Sequence, residues 1–256
     1  MVENLLDNEI IPNNNYDNHS DKYKELTESD PSKKWVQYPE SMRMVLEQFG
    51  GELKGKRIMD IGCANGTFTR MMAREGADVV GYDPSEKEVQ EAQQTESKEP
   101  LGIKYIVSDR PAIDPNYKFD GVTAILVLSL MEDKEQFEQI FKYAGESLKP
   151  GGKFIILTIN PKYNREDIVY NRRFNKIGKG NKYTLDFFDN EKKLKFSING
   201  SQFSEEEHRQ AAINAGFKDV EWKSLKINSE GIKEQGKEFW AGYEENCPYI
   251  GMVAYK

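Results

Sequence analysis

A chain of 256 residues with 38% hydrophobic and 31% charged side chains can bury one large α/β core without disulfide or metal staples. Its net charge of −7 opposes nonspecific attraction to phosphate backbones. Its longest apolar run, residues 124–130 broken only by Ser129, falls far short of the roughly 20 residues that span a membrane, and is expected as buried strand. The first residues lack a basic start followed by an apolar block, and Cys63 and Cys247 have neither framework nor metal-ligand spacing. A cytoplasmic location without bound metal is the expectation.

In chain order, residues 12–18 are rich in Asn and read as a loop, and helices are predicted over 21–28 and 39–49, the second opened by Pro39 and stopped by Gly50-Gly51. Strand and helix then alternate: strands over 57–61, 78–82, 103–107 and 119–128, with helices over 67–74 and 85–94. A helix over 134–148 follows, then a strand over 153–159 after Pro150-Gly151-Gly152. Apolar, β-branched strands between amphipathic segments imply a mainly parallel, doubly wound sheet covered on both faces. After Asn160 the rhythm changes. Residues 183–188 and 194–198 flank Asp189-Asn190 and predict a hairpin. The basic stretch Arg172, Arg173, Lys176, Lys179 and Lys182 reads as a solvated segment. Ser204-x-x-Glu207 has capping-box spacing and opens a helix ending at Gly216, and its His208, set among Glu205, Glu206, Glu207 and Arg209, reads as solvated. Strands over 217–226 and 249–255 would close the sheet as an antiparallel edge pair.

The most informative stretch is Ile58-Met59-Asp60-Ile61-Gly62-Cys63-Ala64-Asn65-Gly66, an apolar strand entering a turn of small residues that precedes a helix. Small residues let a ligand approach the backbone, and the helix start presents unpaired N–H groups. A dinucleotide fingerprint starting at Gly62 would need glycine at Ala64 and Thr67, so it fails twice, which counts against a nicotinamide-dependent oxidoreductase. What survives is Asp-x-Gly-x-x-x-Gly. It resembles the first motif of class I S-adenosylmethionine-dependent methyltransferases, with Ala64 where the family's middle glycine usually stands. Asp83 in Val80-Gly81-Tyr82-Asp83-Pro84, Asp109 in Ile106-Val107-Ser108-Asp109-Arg110, Phe119-Asp120, and Leu148-Lys149-Pro150-Gly151-Gly152-Lys153-Phe154 agree with the family in order and spacing.

The resemblance implies a Rossmann-like sheet of seven strands, mainly parallel with a terminal antiparallel strand, carrying an inserted hairpin cap, in one domain over 1–256. It implies S-adenosylmethionine as cofactor and S-adenosylhomocysteine as product. The implied cofactor site comprises Asp60, Gly62, Cys63, Ala64, Asn65, Gly66, Asp83, Pro84, Asp109, Arg110 and Leu126. Asp83 would accept from the ribose hydroxyls and Asp109 from the adenine amino group, while Asp60 would orient the turn and Cys63 pack beside the cofactor. Asp120, at a strand start, reads as structural.

The ends of the chain are similar to a narrower set, the small-molecule methyltransferases of the toxoflavin or azapteridine type. Tyr16-Asp17 and Tyr23 resemble their N-terminal lid, Tyr38-Pro39 the entry to the next helix, and Phe203 to Phe217 their late helix. Residues 1–50 are therefore expected as a helical lid and 161–203 as a substrate cap, with Tyr16, Tyr23, Tyr38, Tyr170, Phe174 and Tyr183 as acceptor-binding candidates against a small, flat molecule. Histidine is scarce. His19 is the base candidate, with Tyr16 and Tyr23 behind it, so the pattern leans towards a nitrogen acceptor that brings its own lone pair. Neither nucleic acid nor membrane is an expected partner, and the assembly would be a monomer or homodimer. Two alternatives share the cofactor. A nucleic-acid methyltransferase would carry an Asn-Pro-Pro-Tyr-type tetrapeptide where Leu128-Ser129-Leu130-Met131 stands, and a non-catalytic regulatory protein could keep the pocket alone.

Overall fold

The structure, a computed structural model, describes residues 10–11, 30–109, 117–177, 181–189 and 191–256. The helix expected over 21–28 lies outside these residues. A two-residue strand β1 (Ile10–Ile11) stands first, and a π-helical turn at Lys33–Gln37 runs into α1 (Tyr38–Gln48). Pro39 sits in its first turn, where a missing N–H costs nothing. Then come β2 (Arg57–Ile61), α2 (Thr67–Arg74), β3 (Asp78–Asp83), α3 (Glu86–Lys98), β4 (Lys104–Val107), β5 (Phe119–Ile125), α4 (Lys134–Ser147) and β6 (Leu148–Ile159). The second half holds β7 (Arg172–Lys176), β8 (Lys182–Phe188), β9 (Leu194–Ser201), α5 (Glu205–Asn214), β10 (Asp219–Lys223), α6 (Ser229–Gln235) and β11 (Tyr249–Tyr255).

Seven strands form the main sheet in the order β10-β11-β6-β5-β2-β3-β4. All pairs from β6 to β4 are parallel, whereas β11 runs antiparallel to both β6 and β10, so the antiparallel strand is last in sequence but one place in from the edge. Because successive strand residues point to opposite faces, Ile58, Val79, Ile155 and Val253 join α1 and α2 in one core, while Met59, Val80, Phe154 and Met252 join α4 and α5 in the other. Asp60 shares the face of Ile58 and is almost wholly buried under α2.

The second sheet has the order β1-β9-β8-β7, antiparallel except where β1 runs parallel to β9. The expected hairpin is thus two strands of a four-stranded sheet, and its turn is longer than Asp189-Asn190: the Asp189 carboxylate accepts from the backbone N–H of Glu191 and Lys193, at 3.0 and 2.9 Å. One face of this sheet packs Phe174, Tyr183, Leu185, Phe187 and Phe196 against Ile159 and Tyr249 at the end of the main sheet. On its other face Arg173, Asp186 and Ser197 lie in register, and the Asp186 carboxylate accepts from Arg173, Asn175 and Ser197.

Three sequence expectations need correction. The run 124–130 is strand only to Ile125; Leu126 turns the chain with φ +62°, and Leu128–Leu130 is a 3₁₀ turn. The stretch read as solvated contains β7, with Arg172 buried. His208 is 1% exposed, not solvated. It belongs to the stripe His208, Ala211, Ala212, Ala215 that faces the core at helical spacing, edge-on to Phe137 with centroids 4.9 Å apart. The capping box itself forms, Ser204 accepting from Glu207 N and Glu207 from Ser204 N.

Candidate active site

β2 delivers the chain into a turn that only small residues can make. Gly62, Ala64 and Gly66 all have positive φ (+70°, +44° and +82°), and a Cβ on Gly66 would overlap the Tyr105 hydroxyl. The N–H groups of Gly62 and Cys63 both donate to the Tyr82 carbonyl, and Ala64 N donates to Asp83 at 2.9 Å. The other Asp83 oxygen accepts from Ser85 N at 2.9 Å, and Ser85 in turn caps α3. Asp83 therefore ties the ends of β2 and β3 together and stands beside the turn. One carboxylate thus both positions the residue that caps α3 and holds the small-residue turn.

Beneath the turn, Asp60 accepts from Thr69 Oγ1 at 2.7 Å and from Thr123 Oγ1 at 2.6 Å. Burial pushes its carboxyl up to about 6 against the opposing effect of both hydroxyls. Cys63 is buried, and burial together with the charges of Asp60 and Asp83 drives its thiol far above the usual range, so it is inert as a nucleophile. Pro84 is exposed beside Asp83, and Asp109 is exposed just after β4. Arg110 lies outside the described residues, as do His19, Tyr16 and Tyr23. Asp120 holds strands together instead: it accepts from Arg57 N at 2.9 Å and from Lys149 Nζ at 2.7 Å.

The segment after β5 joins this turn to a cavity. Val127 packs against Gly62 so closely that a Cβ there would overlap it, while Leu126, Ser129 and Leu130 line a cavity between the main sheet and the second sheet. Leu185, Phe187, Ile198 and Ile159 supply apolar wall. Asp30, Lys33, Gln37, Arg172 and Tyr249 supply the polar part. The Arg172 guanidinium is buried, ion-paired to Asp30, donates to Tyr249 Oη at 2.9 Å, and lies 5.1 Å from the Phe187 ring centroid.

Of the acceptor-binding candidates, Tyr183 lines this cavity. Phe174 lines a smaller neighbouring one with Tyr163 and Tyr183. Tyr38 stacks on Phe68 near α2, and Tyr170 packs against Phe239, Trp240 and Tyr243, donating to Ala241 O, so neither lines the cavity. Sequence reasoning missed Asp30, Lys33, Gln37 and Arg172. The signal available for Arg172 was its alternation with Phe174 on one face of a strand. Among the described residues no group of three or more His, Cys, Asp or Glu could hold a metal, and no helix is long and apolar enough to cross a membrane.

Curated relatives include a ubiquinone biosynthesis O-methyltransferase of Bradyrhizobium diazoefficiens, 35% identical over 108 residues, which are 42% of this chain and 42% of the relative. The mitochondrial ubiquinone biosynthesis O-methyltransferase of Mus musculus is 36% identical over 116 residues, 43% of this chain and 30% of that one. The chain thus spans less than half the length of these curated relatives. A solved S-adenosylmethionine-dependent methyltransferase of Clostridium acetobutylicum superposes with a TM-score of 0.63 at 15% identity, covering 94% of this chain and 98% of the other. One from Mesorhizobium loti gives 0.59 at 21% identity, covering 84% and 98%. A model of the methyltransferase domain matches residues 35–221. The chain belongs to the methyltransferase-domain family and has the fold of its S-adenosylmethionine-dependent enzymes.

Proposed function

We propose that this chain moves a methyl group from S-adenosylmethionine to an oxygen or nitrogen of a small aromatic or heterocyclic molecule held between the main and second sheets. The observation that carries this reading is the 126–130 segment, which touches the glycine turn through Val127 and the cavity through Leu126, Ser129 and Leu130. A donor at the turn and an acceptor in the cavity would meet there. The residues present fit the cofactor: an acceptor-only carboxylate, Asp83, suits two ribose hydroxyls, and a turn of small residues at positive φ leaves backbone open to the methionine end. Leu126 and Asp109, at the ends of β5 and β4, would flank the adenosyl part. Asp60, held by two threonines, would support the turn from below.

When bound, S-adenosylmethionine supplies a methyl carbon activated by its sulfonium. The residues of this chain align the acceptor and exclude water, and well-oriented pairs gain effective molarities of about 10⁵ to 10⁸ M. Residues 161–203 act as the cap in this reading and the residues ahead of α1 as the lid, since α1 itself packs in the main-sheet core through Met42, Met44 and Val45 rather than serving as part of the lid expected over 1–50. His208 is no base, since it is locked in the core with its ring nitrogen on Ser204 O. The similarity to ubiquinone biosynthesis O-methyltransferases favours oxygen as the acceptor atom over the nitrogen expected from the scarcity of histidine. Calorimetric titration with S-adenosylhomocysteine and with NAD tests the cofactor, and release of S-adenosylhomocysteine from S-adenosylmethionine across a panel of phenols and heterocycles tests transfer. Comparable affinity for NAD, or none for S-adenosylhomocysteine, would refute the reading.

A further inference from the structure

Two cavities meet at one side chain of the second sheet. Ile159 and Tyr183 line both the cavity beside the 126–130 segment and a smaller neighbour, walled by Tyr163 and Phe174 and reaching the exposed Glu166 and Lys176. Leu126, Ser129 and Leu130 line the first and not the second. Ile159 ends β6 in the main sheet, whereas Tyr183 comes from β8 and is buried. Its ring is held from both neighbouring strands. On β9 its partner in register is Gly200, where an added Cβ would stand 2.3 Å from Tyr183 Cζ and Oη. Glycine inside a strand weakens it and often marks the close approach of another group, here the tyrosine ring. On β7, Phe174 packs against the same ring with centroids 5.7 Å apart.

We propose that Tyr183 determines the size of the methyl acceptor, as a partition that limits it to a single aromatic or heterocyclic ring; the proposal rests on the methyl-transfer reading above. A ring laid against the 126–130 segment, between Leu185, Phe187 and Ile198, meets Tyr183 before it extends into the second cavity. A fused second ring needs the space that the tyrosine fills, and the tyrosine, already in contact with Gly200 and Phe174, has no room to retreat towards β9 or β7. Removing the tyrosine ring joins the two cavities and opens an apolar berth against Phe174 and Tyr163. A methyl group at Gly200 does the opposite, pushing the ring off β9 into the cavity space it divides.

The test titrates the full chain, saturated with S-adenosylhomocysteine, with catechol against naphthalene-2,3-diol and with 4-hydroxypyrimidine against 4-hydroxyquinazoline, pairs that differ by one fused ring. In at least one pair the parent should bind the one-ring member more tightly. Tyr183→Phe keeps the partition and should keep that preference. Tyr183→Ala should raise the affinity of the two-ring member relative to the one-ring member about tenfold, the worth of burying the added apolar surface. Because Tyr183→Ala removes a buried ring and can unfold the protein, Gly200→Ala is the second variant, and it should weaken the one-ring member about tenfold while S-adenosylhomocysteine affinity stays within about twofold. An unchanged ratio in folded Tyr183→Ala, the same change of ratio in Tyr183→Phe, parent-like binding by Gly200→Ala, or no binding of any probe would overturn the proposal. A failure of S-adenosylhomocysteine to bind at the outset is a separate result that overturns the methyl-transfer reading and the proposal with it.

Discussion

Replacing Gly66 by alanine tests whether the small-residue turn is dictated by its surroundings. The perturbation is one methyl group at φ +82°, placed where it would overlap the Tyr105 hydroxyl and come 2.8 Å from two of its ring carbons. Left-handed backbone costs a non-glycine residue roughly 1–2 kcal/mol. Overpacking a well-filled core adds about 1–3 kcal/mol, and Tyr105 cannot easily retreat, because Cys63, Val89, Ala92 and Ile103 enclose it. The sum is about 2–5 kcal/mol, a large share of the roughly 5–15 kcal/mol that holds a domain folded. The hydroxyl is the group struck, and among the described residues it is buried beside Arg70 with no hydrogen bond of normal geometry. Tyr105→Phe alone should therefore change stability by less than about 1 kcal/mol, and in the Gly66→Ala background it should restore about 1 kcal/mol. Urea unfolding of the four proteins measures this coupling directly. Strict additivity, or a Gly66→Ala variant as stable as the parent, would refute the packing argument.

Two further substitutions separate the acids that sequence treats alike. Asp83→Asn should weaken S-adenosylhomocysteine binding by about 1.5–3 kcal/mol, roughly 10- to 100-fold by calorimetry, because an amide cannot serve as acceptor at both positions. Asp120→Ala should leave that affinity within about twofold while lowering the urea midpoint by an amount worth about 1–2 kcal/mol, since it frees Arg57 N and the partly exposed Lys149 and touches nothing at the turn.

The parallel half of the fold was legible because its inner strands, β2, β3, β5 and β6, are largely buried on both faces and read as apolar runs, and because glycine marks the turns. Tyr249–Tyr255 matches the expected strand, and Ser204 starts the expected helix. The second sheet was half legible for a physical reason. β7 puts Arg172 on its buried face and Arg173 and Asn175 on the other, where they meet Asp186 across the sheet, so its charges look solvated in sequence. Arg172 is compensated by Asp30, 142 residues away, a pairing that no local pattern encodes. The cavity has the same character: Asp30, Leu126, Arg172 and Tyr249 converge from four distant segments. The glycine turn, by contrast, is local, and Asp83 is found by its position at a strand end. The helix α6 escaped because seven residues, Ser229–Gln235, carry too little periodicity to stand out.

Two buried titrating groups should act on stability with opposite sign, and the pair gives a prediction that neither gives alone. His208 is pushed down from 6.5 to about 4 by burial, against Ser204 O, Glu207 and Glu205, which favour its charged form. Between pH 6.5 and about 4 the unfolded chain takes up a proton that the native ring refuses, so stability falls on acidification across that window, by about 3 kcal/mol at most. Asp60 is displaced the other way, from 3.8 to about 6. Above about pH 6 both states are ionised and the native state bears the cost of the buried charge. Between about 6 and 3.8 the native carboxyl protonates first, so stability rises on acidification by a similar amount, about 3 kcal/mol. The two slopes overlap and largely cancel. Asp60→Asn, whose amide can accept from one threonine and donate to the other, should therefore be more stable than the parent at pH 7.5, with its advantage shrinking towards pH 4.5. His208→Phe, which keeps a ring beside Phe137 and Trp222, should gain on the parent as pH falls. Urea midpoints measured from pH 4.5 to 7.5 decide it: an Asp60→Asn advantage that grows on acidification, or a His208→Phe curve parallel to the parent's, would show that these groups do not titrate as their burial requires.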